Sequence, residues 1–353
     1  MISALLVLCA CESAIEEPIG GEDDSLLVYL NVSVMLSDIS NTLTKAAEDI
    51  TAVSDNEKMH TLRIVIVRPN WTVEANRLIN LEDVVLRHDV AEPFRVVGNE
   101  QKWIYLFVNE NTQAMDKESS VTRKLVDFNL NNIVVGGLFP INDIEALKIR
   151  LEDDTEQIMG PLPMSERHQY TVTSEEEQTC PPLFVTRAAV KFTIRITNNS
   201  DKPVSFDRFT ISRMAREEWY MPRAKYGNPN EGQREIIGYE VPAGVGYYIY
   251  GNKTSVPTPT MTVEAGGEKV MEPIYLLEGK YTDEKDSRNY SMDIWVNGIK
   301  KTHYFPMLPT LPRNTHVLVN IICGMYSEVT CYVDIIPYTE VILDPEFGLK
   351  TTN

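Results

Sequence analysis

The chain of 353 residues is short of positive charge: 33 Lys and Arg stand against 51 Asp and Glu, a formal charge of −18 at pH 7. No dense Lys/Arg cluster offsets this, so phosphate backbones and anionic lipid surfaces are repelled and nucleic acid is excluded as a partner. Beyond residue 11 no uninterrupted apolar stretch reaches the ~18 residues that a membrane-spanning helix needs. Cysteine is scarce, at 5, and no C-x-x-C pair is present to build a zinc or redox site. His60, His88, His168, His303 and His316 show no H-E-x-x-H spacing, and no serine stands in a G-x-S-x-G elbow. Gly136-Gly137, Gly266-Gly267 and the Gly244 to Gly251 region lack a following G-K-[ST] and read as turns. These absences predict a chain that is not an enzyme, with no catalytic residues, no metal and no cofactor.

What is present is a hydrophobic period of two. Leu26, Val28, Leu30, Val32, Val34 and Leu36 fall on one face, with Asn31 and Ser33 on the other, which predicts a half-buried strand. Ser37 to Lys58 is polar and long for a loop in a compact domain. Leu62 to Val67 and Trp103 to Val108 read as strands, the latter apolar on both faces and so central. A helix is expected over Met115 to Asn129. Pro161, Pro163, Pro181 and Pro182, with the acidic run Glu175 to Glu177, mark a linker. After it, Val190, Phe192, Ile194 and Ile196 alternate with polar residues and open a second β domain. Asn297-Gly298 supplies the positive φ angles of a hairpin turn. Val317 to Ile322 and Tyr332 to Leu343 continue the strands.

The expected architecture is therefore mainly β, with two sandwich-like domains in tandem and few short helices. The boundaries are 25–165 and 187–353, joined by 166–186. Of the cysteines in the body, Cys323 and Cys331 pair across a turn or remain buried thiols beside Cys180.

Residues 1–24 read differently. The apolar run Met1 to Cys11 looks like the end of a bacterial secretion signal. Leu8-Cys9-Ala10-Cys11 resembles a lipobox, in which the signal is cut before a cysteine that carries lipid, here Cys11. The acidic stretch Glu12 to Ser25 suits a flexible tether.

Four features in this order resemble the fimbrillin family of Bacteroidales, the subunits of type V pili. They are the lipobox, a first strand followed by a loop with Thr44-Lys45-Ala46-Ala47-Glu48, Leu162-Pro163-Met164 before Thr186-Arg187-Ala188-Ala189-Val190-Lys191, and Leu311-Pro312-Arg313-Asn314-Thr315-His316 opening a late strand. The resemblance implies two transthyretin-like β-sandwich domains and export to the outer membrane on the Cys11 lipid. It also implies cleavage by a trypsin-like protease at Lys45, where the family usually has Arg; Lys58 is a second candidate.

Cleavage would remove the strand carrying Leu26, Val28, Leu30, Val32, Val34 and Leu36. A donor strand from the next subunit would then fill the groove by strand addition, and Val333, Ile335, Val341 and Leu343 are the donor positions. Pro337 should divide that stretch in two. The implied partners are other pilus subunits, outer-membrane lipid, and a host protein or glycan. The alternatives are an anchor or tip adhesin of the same family, or a glycan-binding surface lipoprotein whose Trp71, Trp219 and Tyr220 stack on sugars.

Overall fold

The computed structural model describes residues 26–37, 54–116, 120–152, 154–226, 236–240, 242, 246–251, 261–277, 279–280, 290–305, 310–311, 313–324 and 329–336. Cys11, Lys45, Val341 and Leu343 lie outside these residues.

The first domain is built from β1 (Leu27–Asn31), β2 (Ser33–Leu36), β3 (Met59–Val67), β4 (Val73–Val85), β5 (Arg87–Asp89), β6 (Phe94–Val97) and β7 (Glu100–Val108), followed by β8 (Gln113–Asp116), β9 (Thr122–Lys124), β10 (Lys148–Arg150), β11 (Glu156–Met159), β12 (Met164–Val172), β13 (Glu177–Thr179) and β14 (Leu183–Arg187). The main sheet runs β4-β3-β7-β12-β14-β2-β5, and a second, three-stranded sheet runs β13-β1-β6. β7 lies between β3 and β12, and Ile104 to Val108 are all fully buried, as a run apolar on both faces requires.

Two expectations fail here. Residues 166–186 are not a linker. β12 pairs with β7 over all nine of its residues, and β14 carries the sheet on to β2. The prolines sit between strands, and β12 reads as polar only because alternate side chains face solvent. Nor is Met115 to Asn129 a helix: β8 and β9 pair antiparallel there, and a single 3-10 turn follows at Leu130–Asn132. Among the described residues the one α-helix is α1 (Ile141–Ala146).

The second domain begins at β15 (Val190–Asn198), which pairs parallel with Thr315–Cys323, itself paired antiparallel with Val329–Ile336. Its other sheet is centred on Val204–Ala215, against Tyr247–Tyr250 and the hairpin Tyr290–Val296 with Ile299–Phe305. Asn297 and Gly298 take φ of 49° and 75°, the turn conformation their sequence predicts. Val190, Phe192, Ile194 and Ile196 are fully buried. Lys191 and Thr193, on the opposite face of β15, are buried as well, Lys191 against Glu57 of the first domain and Thr193 beside His316 of the paired strand.

The Cys323–Cys331 disulfide is not formed. Cys323 is a free buried thiol, the ladder sets Val329 opposite it, and Cys331 stands opposite Ile321. Such a diagonal pair is roughly 7–8 Å apart, too far for the ~4.4–6.8 Å Cα separation of a disulfide. Cys180 is likewise free, and burial pushes its thiol up to about 12, which leaves it unreactive.

Candidate functional site

The first strand lies inside the first domain rather than on its rim. β1 is the middle strand of the three-stranded sheet, parallel to β13 on one side and antiparallel to β6 on the other. After a step at Val32 the same chain continues as β2 in the main sheet, parallel to β14 and antiparallel to β5. One short stretch therefore closes both sheets, each time between a later strand (β13, β14) and an earlier one (β6, β5).

Main-chain hydrogen bonds hold it from both sides. The Tyr29 N–H donates to the Glu176 carbonyl at 2.7 Å, and Cys180 N–H donates to Asn31 O at 2.9 Å. Val90 N–H donates to Val32 O at 3.0 Å, Leu36 N–H to Leu86 O at 3.0 Å, and Ser37 N–H to Val185 O at 2.8 Å. Val28, Leu30, Val32, Val34 and Leu36 all face the core and are buried. Leu26 departs from the expected set. It precedes β1 and is 47% exposed, because the slot ends where Gly98 N–H meets the Leu26 carbonyl at 2.6 Å.

Five buried aliphatic side chains at about 1.5–3 kcal/mol each amount to roughly 8–15 kcal/mol of apolar burial, an upper estimate. That is comparable with the ~5–15 kcal/mol net stability of a whole domain. An emptied slot is therefore a large defect, and one that another apolar strand can repair.

Gly98 fixes the width of the slot entrance. A Cβ built on it would stand 2.7 Å from Thr173 O, 3.2 Å from Val28 Cγ1 and 3.3 Å from Leu26 O. The first strand can approach this closely only because residue 98 has no side chain.

At its other end the strand is fastened to the second domain. The Asn314 side-chain amide donates to Ser37 O at 2.9 Å. Asn314, at φ 59°, also accepts from Arg187 Nη1 at 3.0 Å, and Arg187 Nε donates to Glu57 O at 2.8 Å. The Glu57 carboxylate, fully buried, pairs with Lys191 at 2.7 Å and accepts from the Tyr275 hydroxyl at 2.6 Å. Nearby, His316 Nε2 lies 2.8 Å from the Thr193 hydroxyl, and burial with the Lys191 charge drives its pKa down to about 3, so the ring is neutral. Arg313, also fully buried, donates to Tyr220 O at 3.1 Å and pairs with Glu218 at 3.5 Å.

The two motifs Thr186 to Lys191 and Leu311 to His316 thus converge on one buried polar junction that pins the end of the first strand. Sequence reasoning singled them out but gave no role to Arg187, Lys191 or Asn314. It did not find Glu57 or Gly98 at all, since a lone acid and a lone glycine carry no period.

The remaining sequence candidates separate. Lys58 is tied down: its ammonium pairs with Asp55 at 2.9 Å, its carbonyl accepts from Asn109 at 3.0 Å, and the next residue, Met59, is fully buried. These contacts hold Lys58 at the start of β3. Val333 and Ile335 lie in the last described strand, opposite Val319 and Val317. Of the aromatics named for the glycan-binding alternative, one is withdrawn from solvent and two are partly buried. Tyr220 is buried, Trp71 stacks on Trp103 with centroids 6.2 Å apart, and the Trp219 ring lies under the Arg223 guanidinium at 3.8 Å. Among the described residues no group of His, Cys, Asp and Glu could hold a metal ion.

No family model and no curated protein matches the sequence. Solved structures do match. A protein assigned to cell adhesion from Parabacteroides distasonis superposes with a TM-score of 0.53 at 14% identity, over 89% of this chain and 98% of that one. The tip fimbrial protein Mfa3 from Porphyromonas gingivalis, solved with a C-terminal truncation, superposes with a TM-score of 0.50 at 12% identity, over 88% of this chain and 99% of that one. The fold is that of Bacteroidales fimbrial and adhesion proteins.

Proposed function

We propose that the chain is a subunit of a cell-surface fimbria, exported as a lipoprotein through Cys11 and assembled by strand addition after cleavage at Lys45. The observation that carries this reading is the placement of β1 and β2 as inner strands of two sheets, joined to the rest of the domain through the segment that contains Lys45. Cleavage there would leave the strand held only by hydrogen bonds and side-chain burial, so a neighbour's strand could compete for its place. Because Lys58 is locked at the start of β3, Lys45 is the processing position this reading requires.

The donor is the C-terminal stretch with Val333, Ile335, Val341 and Leu343. Val333 and Ile335 must leave their own ladder to serve, so the part beyond Pro337, with Val341 and Leu343, engages a neighbour first. Such head-to-tail contacts do not close on themselves and give filaments. Trypsin-like digestion of the purified full-length chain tests the proposal: a cut near Lys45 should convert monomer to SDS-resistant ladders. Monomer that persists after that cut rules out a stalk role.

A further inference from the structure

The cleft between the two domains holds a cavity of about 360 Å³ that strand addition does not use. Its first-domain wall carries Tyr105, whose side chain is fully buried and whose hydroxyl has no hydrogen bond of sound geometry, with the Arg167 guanidinium as its charged neighbour. Burial pushes Tyr105 up to about 12, so the phenol keeps its proton as a donor. A buried hydroxyl left in this state on a cavity wall is costly unless something in the cavity accepts from it.

The two guanidiniums of the cleft are held in place. Arg167 pairs with Glu145, and Arg223, stacked on Trp219, donates to the Glu145 carbonyl at 2.9 Å. Each has five N–H donors, and these contacts use only part of them. Against them stand the carboxyls of Glu145, Glu166 and Glu240. Glu166 accepts from Thr186 Oγ1 at 3.0 Å, and burial raises it to about 7, so it alternates between acceptor and donor near neutral pH.

Three carboxyls oppose a phosphate, sulfate or free carboxylate, and two guanidiniums oppose a cation. What remains is a ligand without net charge that uses many donors and acceptors at once. Met221 and Pro222 add a short apolar wall for C–H groups. The volume is near the low end of the ~300–1,000 Å³ range of ligand pockets.

From this geometry we infer that the interdomain cleft binds a neutral, hydroxyl-rich small molecule of monosaccharide size, a single hexose or N-acetylhexosamine unit. Tyr105 and Arg223 donate to ring hydroxyls, and Glu240 and Glu145 accept from them. The ligand contacts both domains, so it also stabilises their arrangement. The site stands independently of strand addition, since it involves neither β1, β2 nor the C-terminal stretch.

Saturation-transfer NMR and thermal melts of the full chain, with glucose, galactose, mannose and N-acetylglucosamine as probes, test the inference. At least one sugar should bind saturably with a dissociation constant of about 1–10 mM, as expected for so small a ligand, and should raise the melting temperature. Tyr105→Phe should weaken it about tenfold without lowering the melting temperature of the free protein, because the O–H faces the donor-only Arg167 guanidinium and donates to no acceptor in the fold. Arg223→Ala should weaken it as well. The inference is overturned if no sugar saturates, if inorganic phosphate or free arginine binds in their place, or if Tyr105→Phe binds as tightly as the wild type.

Discussion

Replacing Gly98 by Ala is a direct probe of how tightly the first strand is gripped. The new methyl would lie 2.7 Å from Thr173 O, closer than real Cβ atoms come, and 3.3 Å from Leu26 O. Neither oxygen can retreat freely. Thr173 O already accepts from Asn99 N–H at 3.2 Å and Gln178 Nε2 at 3.2 Å, and Leu26 O accepts from Gly98 itself. Overpacking of this kind costs about 1–3 kcal/mol, and contact with main chain rather than with a flexible side chain puts Gly98→Ala toward the upper end. For a domain of this size the melting temperature of the first domain should fall by about 4–10 °C in a calorimetric scan. Hydrogen exchange should accelerate at Leu27–Asn31 and stay unchanged at Val190–Asn198, since the clash lies at the slot. Gly246→Ala is the control, because its Cβ would meet only Arg216 Cδ at 3.8 Å. A Gly98→Ala protein that melts like that control would refute the description of the slot entrance.

Further predictions concern the junction. Lys191→Met leaves the buried Glu57 carboxylate without its cation and should destabilise by about 3–5 kcal/mol in urea unfolding, whereas the double change Lys191→Met with Glu57→Gln should recover much of that loss. His316 is neutral in the fold, with a pKa near 3 against an ordinary 6.5, so the unfolded chain binds the extra proton. Its contribution is intact above about pH 6.5 and is lost progressively as the pH falls toward 3; His316→Gln should flatten that part of a stability-versus-pH curve. Glu166 has the opposite sign. Its raised pKa, near 7, means that the folded state holds the proton longer, so stability is lost as the pH rises from about 4.5 through 7. Glu166→Gln should therefore stabilise by about 1 kcal/mol at pH 8 and make no difference at pH 4, as read by thermal melts at the two pH values.

The sheets themselves were largely legible. Val28 to Leu36 and Val190 to Ile196 alternate cleanly because each strand puts its apolar side chains on one face, and Asn297-Gly298 marks its hairpin through backbone conformation alone. Partner choice was not legible. The first strand pairs in parallel with β13 and β14, some 150 residues later in the chain, and no local period reports a neighbour at that distance. Short, half-solvated strands were misjudged for a related reason. Met164 to Val172 exposes Arg167 and Gln169 to solvent, so its apolar face is too sparse to outweigh the flanking prolines. Burial of Lys191 and Thr193 could not be foreseen from β15, because their partners are distant in the chain: Glu57 of the first domain pairs with one, and His316 of the neighbouring strand meets the other. The polar clasp was visible only as short motifs without a stated task.

The central claim is that β1 and β2 occupy a slot that can be vacated and refilled. A chain with a specific protease site placed at Lys45 should be cut and then mixed with a fluorescent peptide of residues 26–37, at urea concentrations below the unfolding transition. Strand exchange predicts that the cut protein takes up the peptide stoichiometrically while the second domain stays folded, that the uncut protein does not, and that a peptide with Leu30→Asp and Val34→Asp fails to bind. Uptake that begins only when the whole first domain unfolds would contradict it, by showing the first strand to be an ordinary, inseparable part of the core.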